Sequence, residues 1–336
     1  MSRYTFKQQK VIKDFFVKLN TFKFGYDTAG LPEYTEQEPL DFLTKSLFDS
    51  KTPEVVEVWT GIKHQQAINI MDDTIYLQTG GDCPTFTPTG DTVFTQAILE
   101  VSPITTAKSW CLDELNDFIT QKLLPAGSYA EDVAPAELMD FIAGLIAQVM
   151  EVAYWQGDTA SGNPNLNKFD GFIKTIDAAV GVIDGNTSNE SSITTSNAIS
   201  IFDNILLALP AALLNKEDVF VPCGWDTFRK LIINLKNQNN SAGFHYDSTN
   251  SAAMDAGEMP ILGTKIRIKA LHGLDGTNRI FAGRKRSFYI GCDVENDPTN
   301  WQLWYDINTD LVKFRSKFKL GTQITFPAEI VEYTNA

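Results

Sequence analysis

Three histidines, His64, His245 and His272, are the side chains best suited to proton transfer near neutrality, and none stands in an H-x-x-x-H or H-E-x-x-H arrangement. The spacing therefore predicts surface or loop histidines rather than bases. Asp72-Asp73 and Asp113-Glu114 are adjacent carboxylates. General acid/base pairs need carboxylates that meet in space, and chain neighbours usually diverge, so these read as solvated charges. Cys83, Cys111, Cys223 and Cys292 are far apart, with no C-x-x-C pair and no nearby histidine, which makes a zinc site unexpected and reduced thiols the simpler reading. No G-x-S-x-G elbow or G-x-x-x-x-G-K-[ST] phosphate loop occurs, and Gly80-Gly81 lacks the strand–helix context and third glycine of a dinucleotide site. The one tight basic run, Arg284-Lys285-Arg286, could touch nucleic acid or an acidic neighbour, but reads more simply as a turn between strands. No cofactor, metal or catalytic residue is expected.

Composition sets the wider bounds. A chain of 336 residues, 43% hydrophobic and 21% charged, suits about two domains with a sizeable core. Its net charge of −14 argues against gripping phosphate backbones, though not against enclosing nucleic acid loosely. Arg3, Lys7, Lys10 and Lys13 are followed by no uninterrupted apolar run, so a signal peptide is not expected. The most apolar stretch, Phe141 to Trp155, contains Gln148 and Glu151 and falls short of the ~20 residues of a membrane span.

The elements are read from periodicity. Ile12, Phe15, Phe16 and Leu19 lie at helical spacing in a basic segment, either a solvated face packed on the body or an arm that docks on a neighbour. Ile75-Tyr76-Leu77 and Thr92–Ile98 read as strands around a tip dense in turn formers, Gly80 to Asp91, which predicts a long hairpin. An isolated two-stranded hairpin is marginal in water, so this one is expected to lean on something else. Leu112–Leu124 is a helix candidate. The strongest helix runs from Pro135 to Gln156, with Leu138, Phe141, Ile142, Leu145, Ile146, Val149 and Val152 in one stripe, a rod of about 33 Å at ~1.5 Å per residue. Gly157-Asp158 stops it, and Phe169 to Ile173 re-enters the core. Helices are expected at Ala198–Leu214 and Trp225–Asn237, with a strand at Val219–Pro222 between them. Further strands are expected at Thr264–Ala270, Arg279–Ala282, Ser287–Gly291, Gln302–Asp306, Leu311–Phe318 and Gln323–Pro327. The class is α+β, helices in the middle and sheet at both ends.

This order of elements resembles the major capsid proteins of tailed bacteriophages, the Hong Kong 97 type fold. The likeness rests on the turn-rich hairpin leading into Ile98 to Thr105, on the helix ending Tyr154-Trp155-Gln156-Gly157-Asp158-Thr159, on the return at Phe169-Asp170-Gly171-Phe172, on Pro260-Ile261-Leu262-Gly263, and on Val312 to Ile324. In the family the "spine" helix characteristically ends in Gly-Asp-Gly; here Thr159 stands third and the return carries Phe172.

The resemblance implies an N-terminal arm over residues 1–66 and an extended hairpin loop over 67–103. It implies a peripheral domain with the spine helix over 104–174 and 305–336, and an axial domain over 175–304. It also implies two candidate sites: an intersubunit hairpin tip, Asp82, Pro84, Phe86, Pro88 and Asp91, and the spine-helix end turn, Trp155, Gly157 and Asp158. The implied partners are copies of the chain in pentamers and hexamers, a portal protein, a separate scaffolding protein and cement or decoration proteins, around double-stranded DNA held without sequence specificity. The implied setting is a virion assembled in the host bacterial cytoplasm, with no membrane. The lysine-to-asparagine cross-link of some members is not expected, because no lysine lies between Lys63 and Lys108. An encapsulin-type compartment shell, and an α+β enzyme with an unrecognised site, stand as alternatives.

Overall fold

The computed structural model describes residues 50–77, 90, 92–110, 134–242, 257–261, 264–293, 301–306 and 311–335. The chain runs α1 (Thr52–Val55), β1 (Glu57–Trp59), β2 (Gln65–Asp73), β3 (Thr92–Glu100), β4 (Ser102–Trp110), α2 (Ala134–Gln156), α3 (Phe172–Ala178), β5 (Ile183–Asp184) and α4 (Ala198–Ala208). It continues through β6 (Val219–Cys223), α5 (Trp225–Ala242), β7 (Glu258–Pro260), β8 (Arg267–Ala270), β9 (Ile280–Arg284), β10 (Phe288–Cys292), β11 (Trp301–Asp306), β12 (Leu311–Ile324) and β13 (Val331–Tyr333). The α+β class is observed. The Leu112–Leu124 helix and the Ile12–Leu19 segment lie outside the described residues.

The chain divides into two compact units, one of residues 1–49, 103–149 and 296–318, the other of 50–102, 150–295 and 319–336. In the first, β11 and the opening half of β12 form an antiparallel pair from Trp301↔Ser316 to Asp306↔Leu311. β4 also pairs with β12, and Trp110 stands 6.4 Å from the buried ring of Phe314.

The second unit is built on a six-stranded sheet in the order β5-β13-β9-β6-β8-β7. All of β6 is buried, as a strand covered on both faces must be. Helices α4 and α5 supply Ile201, Phe202, Ile205, Phe228 and Leu231 to one core with Val219, Val221, Ile268, Ile280 and Val331. Phe220, on the alternate side of β6, meets Phe288 at 5.5 Å. A smaller sheet pairs β1 in parallel with β10, and β10 with the closing half of β12.

Three expectations need correction, and two elements were not foreseen. The hairpin's first strand is Gln65–Asp73; Ile75, Tyr76 and Leu77 are not in a strand and are exposed. β4 was not anticipated, nor was helix α3. The helix from Ala198 ends at Ala208 instead of Leu214, because Pro210 cannot donate and forces Leu209 into an extended conformation; a 3₁₀ turn at Ala211–Leu213 comes next. The last two expected strands are one, Leu311–Ile324, with Gly321 inside it in place of a turn. Gly321 pairs with Gly291, and a Cβ on Gly321 would collide with the backbone carbonyl of Glu100, so this glycine serves a close approach of chains.

Candidate functional site

The last two turns of α2 carry one of the two sites read from the sequence. Trp155 is fully buried, with Phe172 at 5.1 Å, Phe281 stacked at 5.6 Å and Phe288 at 6.1 Å between ring centroids. Its indole Nε1 donates to Thr52 Oγ1 at 2.8 Å. The Thr52 hydroxyl donates in turn to Glu151 Oε1 at 2.8 Å, and the Thr52 amide to Glu151 Oε2 at 3.0 Å. Ser50 Oγ donates to the same Oε2 at 2.8 Å. A carboxylate buried this deeply is tolerated because three donors satisfy it. The chain entering α1 is thereby tied to the end of α2 by four hydrogen bonds.

Gly157 closes the helix. Its carbonyl accepts from Gly171 N at 2.8 Å, and its own amide donates to Ala153 O at 3.0 Å. A Cβ on Gly157 would lie 2.6 Å from Phe169 O, and one on Gly171 2.6 Å from Trp155 O, so the outgoing and returning chains touch backbone to backbone. Asp158 then accepts at Oδ1 from the Ala160 amide at 2.8 Å and from Lys174 Nζ at 2.5 Å. Asp170 Oδ1 accepts from the amide and the hydroxyl of Thr159, both at 2.8 Å, and lies 2.9 Å from Lys174 Nζ. The hydroxyl of Thr159 thus adds a bond across the turn that a glycine there could not make.

The Lys174 ammonium, and after it the Ala160 amide, hold the Asp158 carboxyl below the usual carboxylate range. At Asp170 desolvation works against ionisation, but the Thr159 amide, Lys174 and the Thr159 hydroxyl outweigh it, and this carboxyl too is lowered. Lys174 is raised by Asp158 first and Asp170 second. These groups carry opposite charges locked in mutual pairing, an arrangement that fastens a turn and offers no free base.

The other expected site is the hairpin. Its proposed tip residues Asp82, Pro84, Phe86, Pro88 and Asp91 lie outside the described residues, but the strands beneath them are clear. β2 and β3 pair from Gln65↔Glu100 to Asp73↔Thr92. At the root Ile62, Ile68, Leu99 and Val101 form a small core with Trp59, Ala97 and Tyr289 packed on it. Leu99 and Val101 rest on Gly291, whose partner Gly321 lies under Glu100. Val101 N donates to His64 O at 2.9 Å and Gln323 Nε2 to Ile98 O at 2.7 Å.

Away from the root the pattern reverses. Met71 and Phe94 are registered partners on one face, 67% and 74% exposed. Gln96 Nε2 bonds Asn69 Oδ1 at 2.8 Å and Thr92 Oγ1 bonds Asp73 Oδ2 at 3.0 Å on either side of them. Val93, Ile98, Ile75, Tyr76 and Leu77 are exposed as well. A two-stranded ribbon with apolar rungs in water would be stabilised by covering them.

Of the other groups raised from the sequence, His245, Cys83, Cys111, Asp113 and Glu114 lie outside the described residues, and several of the rest sit in local structure. Asp72 and Asp73 are exposed on opposite faces of β2. His272 Nδ1 lies 2.8 Å from Asp275 Oδ2, with its ring stacked on Trp225. The Cys223 thiol is pushed up strongly by burial, away from reactivity. Lys285, Arg286 and Ser287 form a 3₁₀ turn between β9 and β10, as the basic run suggested, and Arg284 bonds Asp218 at 2.9 Å. A groove of about 470 Å³ beside β8 is lined by Lys265, Arg267 and Lys269, which pair with Glu217 and Glu258. Among the described residues no cluster of His, Cys, Asp and Glu is placed to hold a metal, and no helix is long and apolar enough to cross a membrane. Sequence reading had Asp170 and Gly171 in the return after the helix but did not count them as site residues, and it missed Thr52, Glu151 and Lys174; the local signal for the last three was an acid, Glu151, set inside an apolar helical run.

By sequence, no protein family and no curated protein matches the chain. By structure the likeness is extensive. The capsid of Myoviridae phage XM1 superposes with a TM-score of 0.57 at 13% identity, covering 90% of this chain and 97% of that one. The capsid of a native GTA particle gives 0.56 at 12% identity, covering 92% and 96%. The capsid of Ralstonia phage GP4 gives 0.52 at 12% identity, again over 92% and 96%. The chain has the Hong Kong 97 type fold of these phage capsid proteins.

Proposed function

We propose that this chain is the major capsid protein of a tailed bacteriophage, a shell subunit that works by assembly and not by catalysis. The observation that carries the reading is the hairpin: a root fixed in its own core, and an outer half whose apolar rungs Met71 and Phe94 face water. Such a strap is completed by lying on another copy, where its rungs become interface.

In this reading residues 1–66 are the arm, 67–103 the extended loop with its tip at Asp82 to Asp91, 104–174 and 305–336 the peripheral domain, and 175–304 the axial domain. Contacts that close by rotation give rings of five and six, and these close a shell. The shell encloses double-stranded DNA, with a net charge of −14 that keeps the wall from adhering to it. A portal, a separate scaffold and cement proteins complete the particle in the host cytoplasm.

Gel filtration with negative-stain microscopy of the purified chain tests this. Shells, or rings of five or six that grow with concentration, are expected. A compact monomer at every concentration would overturn the proposal.

A further inference from the structure

The edge of the six-stranded sheet holds a second arrangement, unrelated to the hairpin. β5 is two residues long and, among the described residues, pairs with β13 alone, in parallel, placing Asp184 directly opposite Glu332. It is held by Ile183 N to Ile330 O at 2.9 Å and Gly185 N to Glu332 O at 2.7 Å. Like charges registered across a strand pair oppose pairing. One guanidinium serves the neighbourhood: Arg279 Nη1 lies 2.9 Å from Glu332 Oε1 and 2.6 Å from Asp177 Oδ1 at the end of α3. Among the described residues Asp184 has no cationic partner; its Oδ1 accepts from the Asn186 amide at 2.8 Å. Two carboxylates, Asp177 and Glu332, thus share Arg279, and Asp184 adds a third opposite Glu332, a side chain that is only 13% exposed.

The loop after β5 depends on that edge. Asn186, buried, donates to Glu190 O at 3.0 Å and Thr334 O at 2.8 Å, and accepts from Glu190 N at 2.8 Å. Tyr333 OH adds a bond to Glu190 O at 3.2 Å. The segment leading to α4 is therefore stitched to β13 and to the residue beyond it.

We propose that Glu332 and Asp184 form a proton-operated latch: with a proton on Glu332 the β5 edge and the 186–190 loop are closed on β13, and its loss drives them apart. The groups facing Glu332 are Arg279, Asp177 and Asp184. Burial pushes the Glu332 carboxyl up to about 7; Arg279 opposes this, and Asp177 and Asp184 add to it. A carboxyl raised in the fold is protonated there while the unfolded chain has already lost its proton. The edge is therefore most stable below the ordinary glutamate value, weakens as pH rises through the interval between the ordinary and the raised value, and stays weakened above it.

Amide hydrogen exchange of the intact chain, expressed as protection factors to remove the intrinsic pH dependence, reads this directly. Between pH 5 and pH 8.5 the protection of Ile183 and Gly185 should fall by about tenfold or more, on the scale of tenfold per unit of pKa displacement, while that of Val221 in the sheet centre holds. Glu332→Gln should keep both amides protected across the range, and Asp184→Asn should move the midpoint to lower pH. An equal fall in Glu332→Gln, or no fall in the unaltered chain, overturns the proposal. If the glutamine variant does not fold, carboxyl carbon NMR of the unaltered protein decides: a Glu332 midpoint near neutrality supports the latch, and one in the ordinary glutamate range refutes it.

Discussion

At the end of α2 and at the root of the hairpin the chain uses a similar device, a pair of glycines that lets another stretch of chain come close, and then does opposite things with it. Gly157 and Gly171 bring the return under Trp155, and the side chains around them turn inward, onto four aromatic rings and a buried carboxylate. Gly291 and Gly321 bring Leu99 to Val101 against the body, and the ribbon beyond turns outward, to Met71, Val93 and Phe94 in solvent. Large apolar side chains are present in both places. The contrast lies in whether the molecule's own chain covers them, and it separates a region that stabilises the chain itself from a region that, under the proposed function, joins two copies.

Two substitutions should break the comparison cleanly. Trp155→Ala empties the aromatic cluster and leaves Thr52 short of a donor, so denaturant unfolding should show a loss of about 3–5 kcal/mol. Phe94→Ser removes a ring of similar chemistry from the hairpin, and the same measurement should move by no more than about 0.5 kcal/mol, while gel filtration should show assembly failing. Comparable stability losses in the two variants would mean that the hairpin packs on its own body after all.

A smaller effect sharpens the picture of the turn. Asp158 and Asp170 are lowered and Lys174 is raised by their mutual pairing. The contribution of the carboxylates is present above their ordinary values and lost as pH falls through the lowered ones. That of Lys174 is present below its ordinary value and lost as pH rises through the raised one. All three side chains are more than a third exposed, so screening keeps the effect modest. Urea titrations from pH 2 to 7 should show a slope that Asp170→Asn flattens; an unchanged slope would remove the ion pairs from the account.

Much of this was legible in the sequence because periodicity reports burial within one chain. The stripe from Leu138 to Val152 marked α2 to within a residue of each end, and Phe169 and Phe172 are as buried as their setting implied. The hairpin's first strand was misplaced for the complementary reason. Gln65–Asp73 is exposed along most of both faces, so it carries little alternation to read, whereas Ile75-Tyr76-Leu77 is rich in strand formers and belongs to no strand. The continuity of β12 through Gly321 was not legible because the glycine's partner in space, Glu100, is remote in the chain. The knot of Thr52, Glu151 and Trp155 joins residues about a hundred positions apart and leaves no local pattern beyond one acid in an apolar helix.

The claim that the outer half of the hairpin is covered by a second copy can be tested at a single sulfur. Met71 should oxidise readily under dilute peroxide in dissociated subunits and be shielded in assembled particles, with Met150, buried beside the helix end, slow in both. Equal oxidation of Met71 in the two states, or protection already present in the dilute monomer, would contradict the account.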